Sequence, residues 1–162
     1  MEYELKYSLA LDRCKMLSSY EGRDAVGESG DSLYLNVKIT EQDEPLIRKH
    51  LEDAARALEE QMARMIVSAA YNDDGFAWEL RTDMTRWNKL RAFGGNVLEA
   101  VVSHAMSEWL TDKVPARTEM YKNLFTDMGK MAVNNLFAKM PPQRVKREEY
   151  RDMCEIEVVE NN

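Results

Sequence analysis

The stretch Thr40-Glu41-Gln42-Asp43-Glu44-Pro45-Leu46-Ile47 opens the segment that decides the fold class. Thr40 and Asp43 form a capping box with Asp in place of the preferred Glu, while Asp43 is itself a competing cap that would put Pro45 in the first turn. Either assignment starts a helix. Beyond it Ile47, Leu51, Ala54, Ala55, Leu58, Met62, Met65, Ile66 and Ala69 recur at 3.6-residue spacing. Glu44/Arg48, Glu52/Arg56 and Glu60/Arg64 are i,i+4 pairs in the favourable order. The pattern predicts a long amphipathic helix over about 41–71, ended by the turn-forming run Asn72-Asp73-Asp74-Gly75.

Downstream, Phe76, Trp78 and Leu80 alternate with Ala77, Glu79 and Arg81, which predicts a short strand over 76–81. Residues 83–88 read as a connection. A second helix is expected over 89–112, with Phe93, Val97, Val101 and Trp109 on its buried face, and Gly94-Gly95 near its start allows close approach of another backbone. Pro115 opens a third helix, 115–140, carrying Leu124, Met128 and Leu136 inward and ended by Pro141-Pro142. The short loop between these helices predicts an antiparallel hairpin.

Upstream, Tyr3, Leu5, Tyr7, Leu9 and Leu11 alternate with Glu2, Glu4, Lys6 and Ser8, a strand pattern. Asp12 is placed to cap a short helix through Cys14, Met16 and Leu17, with Gly22 as its stop. Gly22 to Asp31 reads as a flexible loop, and Leu33, Leu35, Val37 and Ile39 as a second strand ending at Thr40. The expected fold class is therefore mainly α: three principal helices with short accessory strands. One domain is expected, comprising an N-terminal strand and loop arm (1–39), a helical body (40–140) and a C-terminal tail (141–162). In the tail Ile156 and Val158 alternate with acidic residues and admit another strand.

Composition narrows the function classes. The 162 residues are 44% hydrophobic with only 7 Gly and 4 Pro, which is a globular rather than a low-complexity chain. A formal charge of −7 argues against a broad nucleic-acid-binding surface. Cys14 and Cys154 lack CxxC or CxxH spacing, so they read as reduced, cytoplasmic thiols rather than a metal or redox motif. Met1-Glu2-Tyr3-Glu4 lacks the basic start of a signal peptide, and no apolar run reaches membrane-spanning length, so no membrane association is expected.

The sequence has no GxSxG, GxxxxGK[ST], HExxH or strand-linked GxGxxG. His50 and His104 lie beside the apolar faces of two helices, where structural histidines are the plainer reading. Asn72-Asp73-Asp74-Gly75 lacks the flanking acids of a calcium loop, since Ala70 and Arg81 stand where carboxylates are needed. Most of the 11 methionines lie at core spacing. Arg144, Lys146, Arg147 and Arg151 are the one basic cluster, interrupted by Glu148 and Glu149, and read either as a phosphate contact or as a solvated hinge. The inventory implies no enzyme, no cofactor and no metal.

The run Leu35 to Ile47, leading into a helix with Ala54-Ala55, resembles the start of the first long helix in head-tail connector (adaptor) proteins of tailed bacteriophages. Trp109-Leu110-Thr111-Asp112-Lys113-Val114-Pro115 and Lys139-Met140-Pro141-Pro142-Gln143-Arg144 are similar to stretches of uncharacterised prophage proteins of Bacteroides-type bacteria. The resemblance spans roughly residues 33–144. It implies a virion neck protein, assembled in the host cytoplasm, that forms a homo-oligomeric ring between portal and tail proteins and lets DNA pass without sequence-specific binding. Within that expectation Tyr3, Leu5, Tyr7, Leu35, Val37, Arg144, Arg147, Ile156 and Val158 are the candidate subunit or partner contacts. The alternative is a small cytoplasmic dimeric helical protein, regulatory or ligand-binding, with a pocket at the Trp109/Phe125 hairpin.

Overall fold

The computed structural model describes residues 1–26, 30, 33–82 and 87–138. Strand β1 (Glu2–Lys6) leads into α1 (Tyr7–Asp24), and a single turn α2 (Tyr34–Val37) precedes a 3₁₀ turn (Glu41–Asp43) and α3 (Glu44–Met62). Strands β2 (Ile66–Asn72) and β3 (Gly75–Leu80) form a hairpin, followed by α4 (Trp87–Leu110) and α5 (Pro115–Phe137). The protein is mostly helical, with one antiparallel three-stranded sheet in the order β1-β3-β2.

The start of α3 follows its local chemistry. The Thr40 N–H and hydroxyl both donate to the Asp43 carboxylate, at 2.8 and 2.7 Å, and Pro45 lies in the first turn. Ile47, Leu51, Ala54, Ala55, Leu58 and Met62 are all fully buried. The helix ends at Met62, not near residue 71. Residues 66–72 form β2 instead, because Ile66-Val67 is β-branched and Asn72 closes a two-residue hairpin: its Oδ1 accepts from the N–H groups of Asp74 (2.9 Å) and Gly75 (2.8 Å). Ala69, expected on a buried helix face, is exposed.

The N-terminal reading also needs correction. The strand stops at Lys6, and residues 7–24 are one helix rather than the end of a strand, a short helix and the start of a loop. Tyr7, Ala10, Leu11, Cys14 and Ser18 are buried at helical spacing, whereas Leu9 turns outward at 57% exposure. The expected strand over 33–39 is the single turn α2: Leu35 is exposed and Val37 is buried. The Ile39 N–H donates to Ser18 Oγ at 3.0 Å, tying this segment to α1. The remainder of the expected loop, residues 27–29 and 31–32, most of the 83–88 connection, and the tail strand lie outside the described residues.

The expected hairpin of α4 and α5 is present, with bounds 87–110 and 115–137. The N–H groups of Lys113 and Val114 both donate to the Leu110 carbonyl, which tightens the turn before Pro115. One sheet face packs on the helices through an aromatic cluster. Phe76 and Trp78 stand 4.6 Å apart between ring centroids, and Tyr3 meets Phe93 edge-on at 5.3 Å. The Gly94 position is approached by the Tyr3 ring, 3.1 Å from where a Cβ would stand, and not by another backbone. Of the expected core, Ile47, Leu51, Leu58, Val97, Val101, Trp109 and Leu136 are buried, and Leu124 and Met128 are partly buried against them.

Leu58 touches α5 at Gly129, where an added Cβ would lie 3.1 Å from Leu58 Cδ2. Its truncation leaves a cavity between two helices that cannot easily close. Leu58→Ala is therefore expected to lower unfolding free energy by about 2–5 kcal/mol in chemical denaturation, whereas truncating an exposed residue such as Leu35 changes it by about 0.5 kcal/mol or less.

Candidate functional site

The sheet is the part of the fold with unfinished backbone chemistry. Leu80 N–H donates to the Met1 carbonyl (2.7 Å), Met1 donates back to the Leu80 carbonyl (2.8 Å), and Tyr7 N–H donates to Asp74 (2.8 Å). Antiparallel bonding alternates along a strand, so Met1, Tyr3, Leu5 and Tyr7 direct their backbone groups toward β3. Glu2, Glu4 and Lys6 direct theirs away from the sheet. The same alternation on the other side follows from the Asn72–Gly75 closure: Ser68, Ala70 and Asn72 bond to β3, and the backbone of Ala69 and Tyr71 faces outward. Among the described residues both outer strands thus present open edges, on opposite sides of β3.

The two faces of the sheet differ. Trp78, Phe76, Leu80 and Leu5 are buried against the helices. The opposite face carries Glu2, Glu4 and Glu79 among the small side chains of Ser68, Ala70 and Ala77, with Ser68 Oγ donating to Glu79 at 3.0 Å. Along the open edge of β1 runs a mostly apolar groove of about 490 Å³, bounded by Tyr3, Leu5, Leu9, Gly95 and Leu98. Among the described residues no atom lies within 4 Å of a Cβ added at Gly95.

The sequence-derived contact residues distribute unevenly around this site. Leu5 and Tyr7 are buried, and Tyr3 is half-buried with its hydroxyl donating to the Gly94 carbonyl at 3.2 Å, so these three hold β1 in place rather than offering side chains to a partner. Val37 is buried and its carbonyl accepts the Trp109 indole N–H at 2.7 Å. That bond holds Trp109 in the core. Leu35 is exposed, on the single turn α2. Arg144, Arg147, Ile156 and Val158 lie outside the described residues. The edge residues Glu2, Glu4 and Lys6 went unselected because their side chains signal only a solvated face.

Burial shifts both the Cys14 thiol and the His104 imidazole. Burial pushes the Cys14 thiol up to about 12, where a reactive thiolate is not formed at neutral pH. His104 is half-buried with its ring 5.0 Å from that of Phe125 on α5. Burial holds its pKa below the ordinary value; His50 on α3 lowers it further, while Glu108 on α4 and Asp53 on α3 oppose the shift. Among the described residues no group of three or more His, Cys, Asp or Glu is placed to hold a metal ion, and no helix is long and apolar enough to cross a membrane. No family model, curated protein or solved structure matches the chain.

Two outcomes are expected. Cys14 should be alkylated only when the protein unfolds, read by peptide mass spectrometry across a denaturant series; labelling in native buffer would contradict its burial. A histidine held neutral by burial stabilises fully above its unfolded pKa, near 6.5, and that contribution is lost as pH falls through its lower folded value. Stability should therefore drop as pH falls below about 6.5, and His104→Gln should flatten that part of the profile measured by thermal denaturation.

Proposed function

We propose that the chain is a structural subunit of a tailed-phage neck, a head-tail adaptor that forms a ring between portal and tail and leaves a passage for the genome. The observation that carries this reading is the pair of open strand edges on opposite sides of one small sheet. Two different edges favour a heterologous contact, in which β2 of one copy adds to β1 of the next, and such contacts close into rings when the rotation permits. Strand direction agrees. Both β1 and β2 are antiparallel to β3, so they run parallel to each other, and copies related by rotation alone can pair them repeatedly.

In this reading the helical body forms the wedge of each subunit, and Tyr3, Leu5 and Tyr7 hold β1 at the correct height for its neighbour. The charge of −7 and the carboxylates of Glu2, Glu4 and Glu79 suit a surface near DNA that must slide, because like charge repels phosphate. The protein itself performs no chemistry. A second reading, a dimeric regulatory or ligand-binding protein, draws on the groove beside Tyr3, Leu9 and Leu98.

Ala69→Pro removes an outward N–H from β2 without touching the bonds to β3, and separates the readings. The variant should keep the circular dichroism of the parent and fail to form rings with portal and tail components, as read by native mass spectrometry and negative-stain microscopy. Normal ring formation by the folded variant would remove the strand-addition mechanism. A compact dimer that binds a small molecule in the groove would favour the second reading.

A further inference from the structure

The outer face of α1 is apolar where a solvated helix face is charged. Leu9, Met16 and Tyr20 stand 57%, 41% and 58% exposed on one stripe, which the exposed Asp12 and Arg23 complete. The corresponding stripe of α3, at the same three- and four-residue spacing, is Lys49, Asp53, Arg56 and Glu60, all exposed and all charged. Exposed apolar side chains scattered singly are ordinary, but three along one stripe of one helix make a patch. At Leu9 the patch continues into the groove bounded by Gly95 and Leu98.

A two-fold contact brings the same patch of two copies together, so that patch must be complementary to itself. The charges of α1 meet this condition. Arg13 is paired with Glu99 on α4 (3.2 Å), Lys15 with Glu44 on α3 (2.5 Å) and Glu21 with Arg117 on α5 (3.2 Å). Among the described residues Asp12 and Arg23 are in no ion pair, and Arg23 rests over the Tyr20 ring, 5.8 Å from its centroid. These two charges have opposite signs and lie eleven residues apart, about three turns, with Met16 and Tyr20 between them. Two α1 helices laid antiparallel about an axis midway along the stripe set Asp12 of each copy against Arg23 of the other, and bring the Met16 and Tyr20 side chains together at the centre. A parallel arrangement would oppose Asp12 to Asp12 and Arg23 to Arg23.

We propose that the outer face of α1 is a two-fold interface for a second copy of this chain, made of antiparallel α1 helices with Met16 and Tyr20 at its centre and an Asp12–Arg23 pair at each end. Exposed charge pairs add little energy but select the orientation. A single helix-on-helix contact belongs with the smaller and weaker interfaces, so the dimer forms at micromolar chain concentrations. It uses neither strand edge and holds under either reading of function above.

The test is sedimentation equilibrium of the full chain up to about 200 μM, where a monomer–dimer equilibrium is expected. Asp12→Arg and Arg23→Asp should each weaken the dimer about tenfold, because each sets two like-charged pairs across the axis, and both changes in one chain should return it to within about threefold of the parent. Met16→Glu should leave the chain monomeric with unchanged circular dichroism, whereas Ala69→Pro, at the β2 edge, should leave the dimer intact. A parent chain that stays monomeric throughout would overturn the proposal, as would a dimer that survives Met16→Glu. Loss of the dimer in folded Ala69→Pro would assign association to the strand edges and overturn it too. If the double charge reversal fails to recover what the single reversals lose, the antiparallel pairing is wrong. These reversals decide by themselves should Met16→Glu fail to fold.

Discussion

The structure depends on one crossing, where the β2–β3 turn clamps the junction between β1 and α1. Tyr7 N–H donates to the Asp74 carbonyl at 2.8 Å, and Gly75 lies so close to Leu5 that any side chain there would run into the Leu5 carbonyl and approach Lys6 Cα to 3.0 Å. This contact decides where the first strand stops and the first helix starts. It sets Leu5 and Phe76 side by side, and from that register Tyr3 reaches Trp78, Phe93 and the Gly94 carbonyl. The helices and the sheet are joined through that aromatic cluster, so a shift of one residue at the crossing would turn Tyr3 and Leu5 to solvent and bring Glu2 and Glu4 into the core.

The same crossing explains which parts of the fold were legible in the sequence. The start of α3 and the α4–α5 hairpin are specified locally, by Thr40 with Asp43, by Pro115 and by sustained helical spacing, and they form where expected. Residues 7–11 satisfy two periods at once: Tyr7, Leu9 and Leu11 alternate, while Tyr7, Ala10, Leu11 and Cys14 follow a helix. Pairing to Asp74, 67 residues away and absent from any local window, chooses the helix. Met65, Ile66 and Ala69 likewise continue the repeat of α3, yet the Asn72 turn folds them back as β2. Periodicity fails at these two places for the same reason, since a contact distant in sequence outweighs local spacing.

The site was less legible than the fold. Alternation shows which side chains share a face, but not which backbone groups point outward, because that depends on the parity of the pairing. Glu4 and Leu5 differ by one residue; one directs its N–H to an open edge and the other to β3. Side-chain reasoning selected Leu5 and Tyr7 for their apolar character, and the structure places both in the core.

An edge of this kind creates a conflict that the rest of the molecule must settle. A three-stranded sheet with one face packed on helices is stable, but every unpaired N–H on its rim invites pairing with the first strand it meets. Charges on the outward residues make the edge selective instead of merely exposed: Glu2-Tyr3-Glu4-Leu5-Lys6 repels a strand with carboxylates at the first two matching positions and accepts one with cations there. The apolar groove beside β1 adds little discrimination, since any side chain of suitable size can enter it, so selectivity at this edge falls to the charges of Glu2, Glu4 and Lys6.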